Sequence, residues 1–83
     1  MLTGRQIREA RALLGLKRSI LAQKVGRITT LLIMRAEEIE NEPMLSAEHD
    51  AAVRQTLERL GVEFGPLGPR LRAKDGEKSE VAP

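Results

Sequence analysis

Eighty-three residues, 41% of them apolar, suffice for one small domain, and the single aromatic, Phe64, leaves its core to aliphatic side chains. Without cysteine there are no disulfide staples or thiolate metal sites, so self-association is the expected source of extra stability. The net charge of +2 hides a gradient, with +5 over residues 1–26 (Arg5, Arg8, Arg11, Lys17, Arg18 and Lys24 against Glu9), −4 over 27–64 and +1 beyond.

The first helix is expected from about residue 4, because Thr3 and Gln6 stand at capping-box spacing. Ile7, Ala10 and Leu14 recur at helical intervals, while Arg5, Arg8, Glu9 and Arg11 read as a solvated face paired across turns. Gly15 is placed to close this helix in the left-handed conformation. A second short helix is expected from about Arg18 to Val25, with Leu21, Ala22 and Val25 inward and Gly26 at its end.

A third helix is expected over about residues 30–39, with Thr29 as its N-cap. The stretch 40–44 (ENEPM) is a loop, because Pro43 biases Glu42 away from helix. Ser46 caps a fourth helix, where Glu48 and Asp50 complement the positive dipole end. Its inner stripe is read as Ala47, Ala51, Val53, Leu57 and Leu60, with Gly61 as its stop.

Residues 62–64 (VEF) and 70–72 (RLR) are short extended candidates around the Gly- and Pro-rich GPLGP at 65–69. They can pair as a hairpin in one chain or lie against a partner's copy. Residues 73–83 are polar and breaker-rich and are expected to be a disordered tail. The longest apolar run is four residues, against the roughly 20 a spanning helix needs, so a soluble cytoplasmic protein is expected.

The informative pattern is Leu21-Ala22-x-x-Val25-Gly26, followed by Ile33-x-x-x-Glu37. A helix-turn-helix needs a small residue where its helices cross, here Ala22. It needs a glycine four positions on, where the chain reverses with positive φ, here Gly26. An aliphatic residue about one turn into the second helix, here Ile33, then docks that helix on the first.

On these residues the chain resembles the helix-turn-helix family of phage Cro and repressor proteins, also called the xenobiotic-response-element family. It is similar in particular to small bacterial regulators, through TGRQIREARALLGL (3–16), RAEE (35–38) and LSAEHDAAVRQTLERLGVEF (45–64). The resemblance spans about residues 3–72. Two departures are visible: the gap from Gly26 to Ile33 is one residue longer than usual, and Lys17 stands where Ser or Thr is general.

The fold class so implied is all-α. It is a bundle of four to five helices containing a helix-turn-helix, with a short extended C-terminal segment. Residues 1–61 would form the DNA-binding domain and 62–72 a candidate dimerisation segment, whose Val62, Phe64 and Leu71 would form the dimer surface with Leu57 and Leu60 beneath. The implied activity is operator binding by a homodimer acting as a transcriptional regulator. Carried over residue by residue, the family's base-edge positions fall on Thr30, Leu31, Met34 and Arg35. Its phosphate positions fall on Lys17, Arg18, Thr29 and, more weakly, Asn41.

The third helix is greasier than a groove-facing element usually is. At roughly 100° per residue, the four apolar side chains at 31–34 sweep about 300°, so they cannot all face one core. With Ile33 and Ala36 inward, Leu31 and Met34 point outward beside Arg35 and Glu38. DNA is one recipient for them, through thymine methyls. The alternative is a protein-interaction module, with a regulatory or antitoxin-like partner seated on Leu31 and Met34.

The acidic residues Glu37, Glu38, Glu40 and Glu42 are expected to form a solvated rim, not a cation site. Lone His49 in a helix's first turn carries no catalytic signal. No nucleophile–base pair, phosphate-cradling glycine loop or metal-spaced cluster is present in the sequence, so no enzyme, cofactor or metal is expected.

Overall fold

A computed structural model describes residues 1–72; the tail expected at 73–83 lies outside the described residues. The elements in order are α1 (Gly4–Leu14), α2 (Arg18–Val25), α3 (Thr30–Glu38), α4 (Ala47–Arg59), β1 (Val62–Gly65) and β2 (Gly68–Leu71). The expected all-α class is corrected: the described chain is 57% helix and 11% strand, a mixed fold of four helices and one small sheet.

The strands arise because the 62–72 segment folds back on itself. Val62 stands opposite Leu71, Glu63 opposite Arg70 and Phe64 opposite Pro69. Pro66 presets one turn dihedral, and Gly68 takes a φ of 106°, which a β-carbon would strain. The Arg72 N–H donates to the Gly61 carbonyl at 2.6 Å. Alternation along the ladder therefore puts Pro69 where no N–H is needed.

The helix ends follow the chemistry of their caps. Thr3 and Gln6 form the reciprocal capping box of α1, and Gly15 closes it at φ 66°. Thr29 accepts the Leu32 N–H at 3.1 Å, and Ser46 accepts that of His49 at the same distance. Between α2 and α3 the backbone reverses at Gly26, φ 85°. The longer turn is accommodated by turning Ile28 against the core.

The core is aliphatic, with Leu2, Ile7, Leu21, Ile33, Leu57, Val53 and Val62 its largest fully buried side chains. Helix α4 buries Asp50, Val53, Thr56 and Leu57, so Val53 and Leu57 of the expected stripe face inward while Ala47, Ala51 and Leu60 are exposed. Asp50 is turned inward because its Oδ1 accepts the Leu2 N–H at 2.7 Å, tying the chain's start to α4. Two residues expected at a dimer surface, Leu57 and Val62, are fully buried within one chain and cannot also cover a partner. Among the described residues, no helix is long and apolar enough to cross a membrane.

Candidate nucleic-acid interface

Two helix starts, α2 and α3, open onto the same side of the molecule. Neither has an acidic residue in its first turn, whereas α4 has two there. Lys17, at the N-cap of α2, supplies no side-chain cap, so first-turn amides remain for solvent or a ligand. The positive dipole ends of α2 and α3 therefore act beside side-chain cations.

Arg11, Lys17, Arg18, Ser19, Thr30 and Met34 line a shallow concavity of about 470 Å³. Of the residues expected to bind DNA, it gathers Lys17, Arg18, Thr30 and Met34. Leu31 and Arg35 lie one helical turn apart on the exposed outer face of α3, with Leu31 51% exposed. Thr29 is exposed beside them, its hydroxyl oxygen engaged as a cap. Asn41 is exposed in the loop after α3 and does not line the concavity.

The floor of this surface is electrostatic. Glu37, expected on a solvated rim, has a side chain only 2% exposed. Its Oε2 accepts from Arg11 Nε at 2.8 Å, and its Oε1 accepts from Arg11 Nη2 at 2.9 Å and from Arg18 Nε at 3.0 Å. Arg11 also donates to the Leu16 carbonyl at 2.9 Å, so it is no solvated cation. One buried carboxylate thus ties α1, α2 and α3 together through a two-pronged arginine pair and a second guanidinium.

Glu40 stays exposed but is paired, with Arg8 at 2.9 Å and Arg5 at 3.7 Å. The Arg8 hydrogen bond, and then its charge, holds the Glu40 carboxyl below the ordinary range and raises Arg8 in return. Two of the four glutamates in the 37–42 run are therefore neutralised by α1 and α2.

Sequence reasoning missed Arg11, Ser19 and Glu37. A signal for Glu37 was present: it follows Ile33 by four residues and so falls on the same inward stripe of α3.

The hairpin packs on α1 and α4. Of the residues expected at a dimer surface, Leu60 and Leu71 are exposed there, and Phe64 is half-buried with the Arg54 guanidinium 5.2 Å from its ring centre. Among the described residues, no group of His, Cys, Asp and Glu is placed to hold a metal ion. No family model, no curated protein and no solved structure matches this chain.

Proposed function

We propose that this chain is a sequence-specific DNA-binding transcriptional regulator of the Cro and repressor type, in which α2 and α3 form the helix-turn-helix. The observation that carries this is the shared concavity. It sets the cations Lys17 and Arg18 beside Thr30 and Met34, with Leu31 and Arg35 on the adjoining outer face of α3. A phosphate run along the start of α2 leaves the exposed face of α3 directed into the major groove.

Arg35 is the residue proposed to grip guanine O6 and N7, a contact that discriminates by about 1–3 kcal/mol. Leu31 and Met34 cover thymine methyls. Lys17, Arg18, Thr29 and Asn41 serve the backbone. One such domain reads few base pairs, so we propose a cytoplasmic homodimer on a palindrome whose half-sites lie roughly 34 Å apart. Its interface is assigned to the exposed hairpin side, with Leu60 and Leu71 as apolar contacts. The protein is proposed to bind, not to catalyse.

A second reading is favoured by one observation, the half-exposed Leu31 on α3. It makes α3 a protein-docking ridge with little or no DNA affinity. Selection from randomised duplex DNA, with wild type and Arg35→Ala in parallel, separates the two. The regulator yields an enriched sequence whose preference relaxes at one base pair in Arg35→Ala. If no sequence is enriched even at low salt, the protein-docking reading replaces it.

A further inference from the structure

Arg18 has two edges, and among the described residues only one is engaged by other side chains. Its Nε edge is fixed on the buried Glu37 carboxylate at 3.0 Å. Its side chain is nevertheless 42% exposed and lines the concavity. A guanidinium has five N–H donors in a rigid fork, so holding it by Nε sets the direction of the remaining four. Arg11 grips the same carboxylate through two parallel bonds and is only 17% exposed, so the anchor under Arg18 is itself rigid.

Resting on the nucleic-acid reading above, we propose that Glu37 is a positioning residue for phosphate recognition. It holds the Nε edge of Arg18 so that the Nη edge meets a backbone phosphate between Lys17 and Thr30. Glu37 also sits on α3, so the same carboxylate fixes the reading helix against the phosphate-binding start of α2. Register on the backbone and placement of Arg35 are thereby linked through one side chain.

Charge alone predicts the opposite sign for one variant. Glu37→Gln removes a negative charge beneath the concavity, so a purely coulombic surface binds DNA more tightly and with a steeper salt dependence. A positioning role makes Glu37→Gln bind more weakly, by about tenfold, the scale of one charge-assisted hydrogen bond.

The test is a fluorescence-anisotropy titration of a labelled mixed-sequence duplex over a salt series. It uses the wild type, Glu37→Gln, Arg18→Ala, their double variant and Arg18→Lys, with folding checked by circular dichroism. The expected result is weaker binding by Glu37→Gln that disappears in the Arg18→Ala background. Tighter binding, or the same loss in both backgrounds, overturns the inference while leaving the DNA reading intact.

Where Glu37→Gln does not fold, Arg18→Lys decides. A lysine keeps the charge but cannot hold Glu37 and a phosphate on opposite edges, so its affinity falls to the Arg18→Ala level. Affinity close to wild type overturns the inference. Wild-type protein that fails to bind duplex at low salt overturns the DNA reading and this inference together, an outcome distinct from all the others.

Discussion

Gly4 and Ala36 meet backbone to backbone: a β-carbon added at Gly4 would collide with the carbonyl oxygens of Ala36 and Ile39. The approach is this close because the first turn of α1 caps the end of α3. The Gly4 N–H donates to the Ile39 carbonyl at 3.2 Å and the Arg5 N–H to that of Glu40 at 3.1 Å. Amides without partners at one helix start thus satisfy carbonyls beyond another helix's end, and the position of α3 is set by α1.

Gly4→Ala should therefore destabilise, although alanine is ordinarily the better helix former by up to about 1 kcal/mol. Overpacking against fixed backbone costs about 1–3 kcal/mol, which outweighs that gain. For a domain of this size, Tm should fall by roughly 5–15 °C in a thermal melt. An unchanged or raised Tm would show that the two helix ends do not meet in this way.

The Leu2–Asp50 bond predicts an order of stabilities. Asp50→Ala leaves the Leu2 N–H buried without an acceptor and should cost about 1–3 kcal/mol in urea unfolding. Asp50→Asn keeps an oxygen acceptor and should cost less. Hydrogen exchange at the Leu2 amide should speed up in the alanine variant, and equal loss in both variants would contradict the assignment.

Glu40 supplies a pH dependence with a definite sign. Its folded-state pKa is depressed by Arg8, with Arg5 adding to the effect. The stabilisation is therefore present above the unfolded carboxylate pKa of about 4.3 and is lost as pH falls through the lower folded value. The Tm difference between wild type and Glu40→Gln should be visible at pH 7 and should vanish in acid below that range. Because the pair is exposed, the difference should also shrink in high salt. A difference that persists in strong acid would place its origin elsewhere.

Leu31→Ser with Met34→Ser separates the two uses of α3. Leu31 lies on the surface and Met34 is half-buried beside it, so stability should change little compared with a core substitution. In a DNA reader, light scattering should report an unchanged assembly while the preferred duplex sequence shifts. Loss of assembly with no effect on DNA would assign the pair to a protein interface.

What the sequence made legible is local. Thr3, Gly15, Gly26, Thr29 and Ser46 each bound their helices as cap chemistry requires, because a cap acts within four residues of itself. The inward pair Ile33 and Ala36 was legible for the same reason. Glu37 was legible only in its place on that inward stripe: its ion pairs depend on arginines 19 and 26 positions away on two other helices.

The face of α4 was read only in Val53 and Leu57, because its buried set also contains a carboxylate, Asp50, whose partner is the amide of Leu2, 48 positions distant. The C-terminal strands were recognised as extended, but only the turn at Pro66 and Leu67 shows that they pair within one chain. Once the hairpin closes on the bundle, Val62 belongs to the core and leaves the surface to Leu60 and Leu71. Of the candidate site, the cations at the start of α2 and the exposed residues of α3 followed from the resemblance carried over residue by residue, whereas the ion pairs of the carboxylate beneath them did not.

The most direct measurement follows the backbone amides of isotope-labelled protein by NMR as duplex DNA is added. The account predicts shifts concentrated at residues 17–19 and 29–35, reversed by salt, with the hairpin at 62–71 undisturbed by the DNA contact. Shifts confined to the hairpin, or none at low salt, would contradict it.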